Sequence, residues 1–247
     1  MQSSELNRNH EKLVSREIFQ QNIRNKGRDK YTKGYRASLT KSGAVKAIRE
    51  KFGIETLDKD RKKINNFSRV VSTRVLNHIN RELIRALNMM GTIGFIDRIV
   101  IDDAPLKGAK AGFHFKTKTF ILPEYFVEGD SALLAALFEE NRSKGIPNEW
   151  STCSPMHPYR HELGHAFFHY VCAMDSNAEE RARELFQRYF GDLSSLQFDS
   201  MLRLSSYSAD GPGEMIAEAF ASIMDSNNNK FAIEIMERFR GTDADNK

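Results

Sequence analysis

Apolar side chains recur every four residues from Phe67 to Leu87 (Phe67, Val71, Val75, Ile79, Leu83 and Leu87), and Val70, Leu76 and Ile84 widen the stripe. That period gathers the apolar groups on one face of a helix. It predicts an amphipathic helix over residues 65–90, of about six or seven turns, stopped by Gly91. Beyond Gly91 the period changes. "FIDRIVIDD" (95–103) and "GFHFKTKTFILP" (112–123) alternate apolar and polar residues and are rich in Ile, Val, Phe and Thr. Both are expected as strands, joined by a Gly/Lys/Pro loop. Helical patterning returns over 131–142, closed by Gly145, and over 158–173. A further helix is expected over 178–190, with Asn177 and Glu180 spaced as a capping box and Gly191 at its end. Residues 193–205 and 213–240 are helical in pattern as well, the latter with a candidate break near "DSNNN".

Residues 1–40 are polar and basic, and Gly27 and Gly34 argue against one long helix there. Short helices or a partly disordered arm are expected. There is no internal repeat. Helices, then a small sheet, then helices make an α+β arrangement. Two regions are expected: a basic, mostly helical one over 1–90, its first 40 or so residues flexible, and a second over 91–247.

Charged residues make up 28% of the chain and hydrophobic ones 40%, as in a globular protein with a substantial core. No apolar run is long enough to span a membrane. "MQSSELNRNHEKLVSREIF" lacks the apolar block of a secretory signal, so a cytoplasmic or particle-associated location is expected. Cys153 and Cys172 cannot make a disulfide framework and are expected to be reduced. The net charge of +4 is unevenly placed. Residues 1–90 carry 21 Lys and Arg against 9 Asp and Glu, and the remainder carries 16 against 24. A basic region of this kind could meet nucleic acid or an acidic partner. The plainer reading is a solvated helical face, because the few aromatics there are not interleaved as stacking platforms.

The candidate chemistry lies in "HPYRHELGHAFFHYV", residues 157–171. On a helix, His161 and His165 share one face a turn apart and can point both imidazoles at one metal ion. Glu162 is placed beside them as general base. This is the physical content of H-E-x-x-H as a zinc-hydrolase signature: zinc acidifies its water, and the glutamate takes the proton. His169 shares the face but lies about 12 Å from His161 along the axis, at 1.5 Å per residue, too far to share a zinc ion whose ligands sit about 2 Å away. His169 is therefore read as a supporting or packing residue, and His157 as a bystander or a supporting group. Phe168 and Val171 stand where an extended H-E-x-x-H-x-x-G-x-x-H motif needs glycine and histidine, so that motif is absent. Gly164, costly inside a helix, fits a place where a neighbouring element comes close.

A third ligand must come from elsewhere. Glu214 lies 49 residues after His165, in "SSYSADGPGEMIAEAFASIM", with Glu218 one turn further on. Their neighbours Met215, Ile216, Ala217, Ala219 and Phe220 make that face hard to leave in water, and a buried carboxylate needs a cation or hydrogen-bond donors. Glu214 is expected as the ligand and Glu218 as the group that hydrogen-bonds a ligand histidine, although the two could exchange roles.

H-E-L-G-H followed by Y-x(6)-E-x-x-x-E-A-F resembles the catalytic domain of anthrax lethal factor and related zincin-like metallopeptidases, including domains of phage head-morphogenesis proteins and bacterial toxins. The resemblance covers about residues 95–240 and leaves out the basic region. It implies one zinc ion per chain held by His161, His165 and Glu214, with Glu162 as general base. It also implies Tyr207 as a tyrosine beside the metal that stabilises the oxyanion or protonates the leaving group, and Glu218 as the second glutamate of the pattern. The strand within 112–123 would lie near the sheet edge where substrates pair in extended form. The expected activity is zinc-dependent endopeptidase action on a protein or peptide. The competing readings are a phage particle or assembly protein with a zincin fold and a basic arm, and a toxin or effector protease.

Overall fold

Ile99, Val100 and Ile101 are consecutive, so a strand carrying them must be covered on both faces. In the computed structural model all three are buried, in β2 (Arg98–Ile101), an inner strand of a four-stranded mixed sheet. The structure describes residues 34–69, 71–107, 109–124, 131–191, 195–225 and 229–241. Most of the expected basic arm therefore lies outside the described residues.

Among the described residues there are eight α-helices and four strands, an α+β fold. The first elements of the described residues are α1 (Lys41–Phe52) and β1 (Glu55–Leu57), neither of which the hydrophobic pattern marks. Thr40 caps α1 by accepting from Gly43 N, and Gly53 closes it with a left-handed backbone. β1 runs parallel to β2, with α2 (Thr73–Met90) as the connection between them. Residues 41–90 thus build the same sheet and the same core as the rest, and that core runs from Ala44 to Phe239 without a break at Gly91.

Helix α2 starts eight residues later than the periodicity predicts. Asn65 and Ser68 form a local turn instead: Asn65 Oδ1 accepts from Phe67 N, and Ser68 Oγ accepts from Asn65 N. Such side-chain bonds compete with a helix. Phe67, which continues the stripe in the sequence, is 90% exposed. The helix begins where Ser72 accepts from Val75 N.

The single strand expected over 112–123 is also corrected. It is two antiparallel strands, β3 (Gly112–His114) and β4 (Thr119–Leu122), turned by a 3₁₀ segment at Phe115–Thr117 and a left-handed Lys118. The strand order is β1-β2-β4-β3, with β4 parallel to β2 and β3 on the edge.

The remaining helices are α3 (Ser131–Ser143), α4 (His157–Met174), α5 (Ala178–Phe190), α6 (Ser195–Arg203), α7 (Pro212–Met224) and α8 (Lys230–Phe239). The run 213–240 is therefore two helices, and Asn229 caps the second by accepting from Phe231 N and Ala232 N. The expected capping box at α5 does not form. Asn177 makes no side-chain cap, and Asp175 Oδ1 accepts the Asn177 N–H.

Helix α7 is buried at every position from Met215 to Met224, apolar except at Glu218 and Ser222, as in a central helix. Helix α4 packs along it and reaches the sheet through Tyr159, whose ring lies 4.9 Å from that of Phe120 in β4. No helix of the described residues is long and apolar enough to cross a membrane.

Candidate metal centre

Helices α4 and α7 cross at Gly164. A Cβ at that position would lie 2.6 Å from Ala217 Cα and 3.0 Å from Phe220 Cβ, so only glycine permits this approach. The close crossing sets the carboxylates of α7 against the imidazoles of α4.

Three atoms converge there. His161 Nε2 lies 3.0 Å from His165 Nε2 and 3.0 Å from Glu214 Oε2, and His165 Nε2 lies 3.1 Å from the same oxygen. Zinc bonds to nitrogen and oxygen of 2.0–2.2 Å imply a tetrahedral edge of about 3.3 Å, so this triangle fits one face of such a site within a few tenths of an ångström. The donor set fits as well: two imidazoles and a carboxylate, all lone-pair atoms. Without a cation they can approach this closely only by sharing protons. Burial opposes a charged imidazolium at His161, but hydrogen bonds with Glu214 and Glu218 outweigh it and push its pKa up to about 10. Burial likewise opposes a charged Glu214, yet the same two histidines hold it down at about 2. A divalent cation would satisfy all three groups without those protons.

His161 is buried, whereas the side chains of His165 and Glu214 are 20% and 26% exposed. The cluster therefore opens to solvent on one side. Tyr207, on a 3₁₀ segment (Tyr207–Asp210), stands at this opening with its ring 5.4 Å from that of His161. Burial first, and then the negative charge of Glu214 and its acidic neighbours, raise the Tyr207 pKa, so it remains a phenol with a proton to donate. Glu162 faces the edge strand and accepts the Phe113 N–H; burial raises its pKa against the pull of the two imidazoles.

Glu218 does not join the triangle. Its Oε1 accepts from His161 Nδ1 at 2.7 Å and from His157 Nε2 at 2.9 Å, and its Oε2 accepts from Ser151 N at 2.6 Å. His157, His161 and Glu218 are also close enough to hold an ion. The donor count argues against one there: both imidazole nitrogens point at a single carboxylate oxygen, and an N–H on each satisfies all three groups. Those donors explain why Glu218 stays ionised although buried, its pKa driven far below the ordinary range against desolvation. His169 lies away from the centre, exposed and stacked on Phe115 with ring centroids 4.8 Å apart.

The structure thus brings His161, His165, Glu214, Glu162, Tyr207 and Glu218 together and leaves His169 outside. It adds His157, Ser151 and Thr152. The segment 148–152 has no hydrophobic period to mark it, yet Asn148 O and Glu149 O accept from Ser206 N and Tyr207 N, which ties it to the Tyr207 loop. His157 carries a sequence signal, the four-residue spacing to His161. No family model matches the chain, and no curated protein or solved structure matches it.

Proposed function

We propose that this chain is a zincin-like metallopeptidase, a zinc-dependent endopeptidase acting on a protein or peptide. The observation that carries this reading is the triangle of His161 Nε2, His165 Nε2 and Glu214 Oε2, with a carboxylate that is not part of it, Glu162, on the same helix. The three would hold one zinc ion, which when bound acidifies water and polarises a carbonyl. Glu162 takes a proton from the attacking water onto its carboxylate and returns it to the leaving amine nitrogen. The Phe113 N–H lies near the Glu162 carboxylate and favours its ionised form. Tyr207 donates its phenolic proton in a hydrogen bond to the oxygen on which charge develops. Glu218 orients His161.

Purified protein is expected to hold one zinc per chain by elemental analysis, and zinc-free protein of undiminished thermal stability would refute the metal assignment. Glu162→Gln should retain zinc and lose cleavage of a peptide library by at least about 10²-fold, the scale of a lost general base. A variant that cleaves like the parent would overturn the assignment of Glu162.

A further inference from the structure

For His161 to offer Nε2 to the centre, its other nitrogen, Nδ1, must keep a proton. That proton needs an acceptor that does not itself carry one. Glu218 Oε1, 2.7 Å away and fully buried, is that acceptor. The carboxylate is held in place by a second imidazole. His157 Nε2 lies 2.9 Å from the same oxygen, and His157 is 1% exposed. Donation from Nε2 leaves Nδ1 of His157 as a lone pair, and Nδ1 faces the Thr152 hydroxyl at 3.3 Å, which supplies the proton it needs. The His157 ring stacks on Trp150, with centroids 5.2 Å apart and planes 12° apart, a contact that opposes a turn exchanging its nitrogens. Ser151 completes the cage: its N–H goes to Glu218 Oε2, and its hydroxyl donates to the Glu218 backbone carbonyl at 2.8 Å.

We propose that His157 is a positioning residue that, through Glu218, keeps the proton of His161 on Nδ1 and presents Nε2 to the metal centre as a lone pair. Its consequence for zinc affinity rests on the zinc reading above; the proton placement does not. The direction of these hydrogen bonds is set by the Glu218 carboxylate, which can only accept, and the Thr152 hydroxyl, able to donate, meets the nitrogen of His157 that is left without a proton. Removing the His157 donor leaves Oε1 with His161 alone, and only the Ser151 N–H on Oε2 then holds the carboxylate against Nδ1.

Two substitutions separate the hydrogen bond from the packing. His157→Phe keeps a flat ring against Trp150 without a donor, and His157→Gln restores an amide N–H near the position of Nε2. The first readout is proton NMR of metal-free protein labelled with ¹⁵N-histidine, in which imidazole N–H groups in buried short hydrogen bonds exchange slowly and resonate far downfield. The His161 Nδ1–H resonance should be present in the parent and in His157→Gln, and lost or exchange-broadened in His157→Phe. The second readout is zinc affinity by chelator competition, expected to fall about 10–100-fold in His157→Phe, the usual scale for a partner of a ligand histidine, and to be largely restored in His157→Gln. Should His157→Phe fail to fold, Thr152→Val removes the hydroxyl that meets His157 Nδ1, together with its long 3.4 Å bond from Ser154 N, and should weaken both readouts in the same direction. An unchanged His161 resonance and unchanged zinc affinity in the folded variants would overturn the proposal. A parent that shows the resonance but binds no zinc would overturn the zinc reading and leave the proton placement standing. A parent that binds zinc without a protected Nδ1–H would do the reverse.

Discussion

Glu214 and Glu218 are the same side chain one helical turn apart, and the fold gives them opposite surroundings. Glu214 is partly in solvent and meets two imidazole Nε2 atoms, whereas Glu218 is fully buried among three N–H donors. Replacing each by glutamine should separate their roles. Glu214→Gln removes the anionic member of the triangle and should abolish tight zinc binding, while the metal-free protein loses less stability than in Glu218→Gln, because Glu214 is partly in solvent. Glu218→Gln must turn an amide NH₂ towards Ser151 N–H or towards the two imidazole N–H groups. It should cost the metal-free protein about 1–3 kcal/mol, the scale of an unsatisfied buried pair, and zinc affinity about 10–100-fold. Chemical denaturation and chelator competition read the two effects separately, and equal stability losses would show that the surroundings do not distinguish them. The local part of this geometry is legible in the sequence, because His161 and His165 are i and i+4 on one helix. Which glutamate faces Nε2 is not, since that depends on the offset between two helices far apart in the chain. The role of His157 is equally hidden, because it acts through the other ring nitrogen of His161.

At the scale of elements, that offset is fixed by Gly164. Gly164→Ala would gain about 1 kcal/mol in helix propensity but would put a methyl group 2.6 Å from Ala217 Cα. Helices α4 and α7 would have to separate, carrying Glu214 and Glu218 away from the histidines, and overpacking of this kind costs about 1–3 kcal/mol. The expected outcome is a lower melting temperature together with weaker zinc binding. Gly213→Ala is the control: its Cβ would lie 3.9 Å from His165 Nδ1, an ordinary contact, and both properties should stay near those of the parent. Equal effects from the two would show that the crossing is not what sets the site. The sequence marks Gly164 as a place of close approach without saying what approaches. The same division holds for the elements themselves. Long amphipathic stretches such as 178–190 are legible because their period runs over several turns. The turn at Asn65–Ser68 and the reversal at Phe115–Lys118 are not, because each depends on a few local hydrogen bonds or one left-handed residue inside a run that keeps its apolar rhythm.

At the scale of the whole molecule, α2 is fastened to both helices of the candidate metal centre by a buried ion cluster. Glu82 of α2, 1% exposed, accepts from Arg160 Nε of α4 at 2.8 Å and from its Nη2 at 3.3 Å. Arg160 also donates to Asp225, just past α7, and Arg85 donates to Met224 O at 2.7 Å. Arg81 approaches Glu82 as well, at 3.7 Å. Burial alone would raise the Glu82 pKa, but the charge and hydrogen bonds of Arg160, with Arg85 and Arg81 behind it, lower it below the ordinary 4.5. A carboxylate whose folded pKa is depressed contributes stability that is fully present above its unfolded pKa and is lost as pH falls through the folded one. Glu82 therefore stabilises the fold at neutral pH, and this contribution is expected to fade from about pH 4.5 downwards. Glu214 and Glu218 titrate in the same direction, so the parent's acid profile alone cannot isolate Glu82. The difference between parent and Glu82→Gln can. At pH 7 the variant should be less stable by up to about 3–5 kcal/mol, the scale for breaking a buried pair, and at the lower end because Arg160 keeps Asp225. As the pH is lowered the two curves should converge, since the parent's Glu82 becomes neutral like the glutamine. Urea denaturation of metal-free protein across this range measures the gap directly. A gap that stays constant with pH would mean that Glu82 acts through shape and packing, and that the charge cluster is not what ties α2 to α4 and α7.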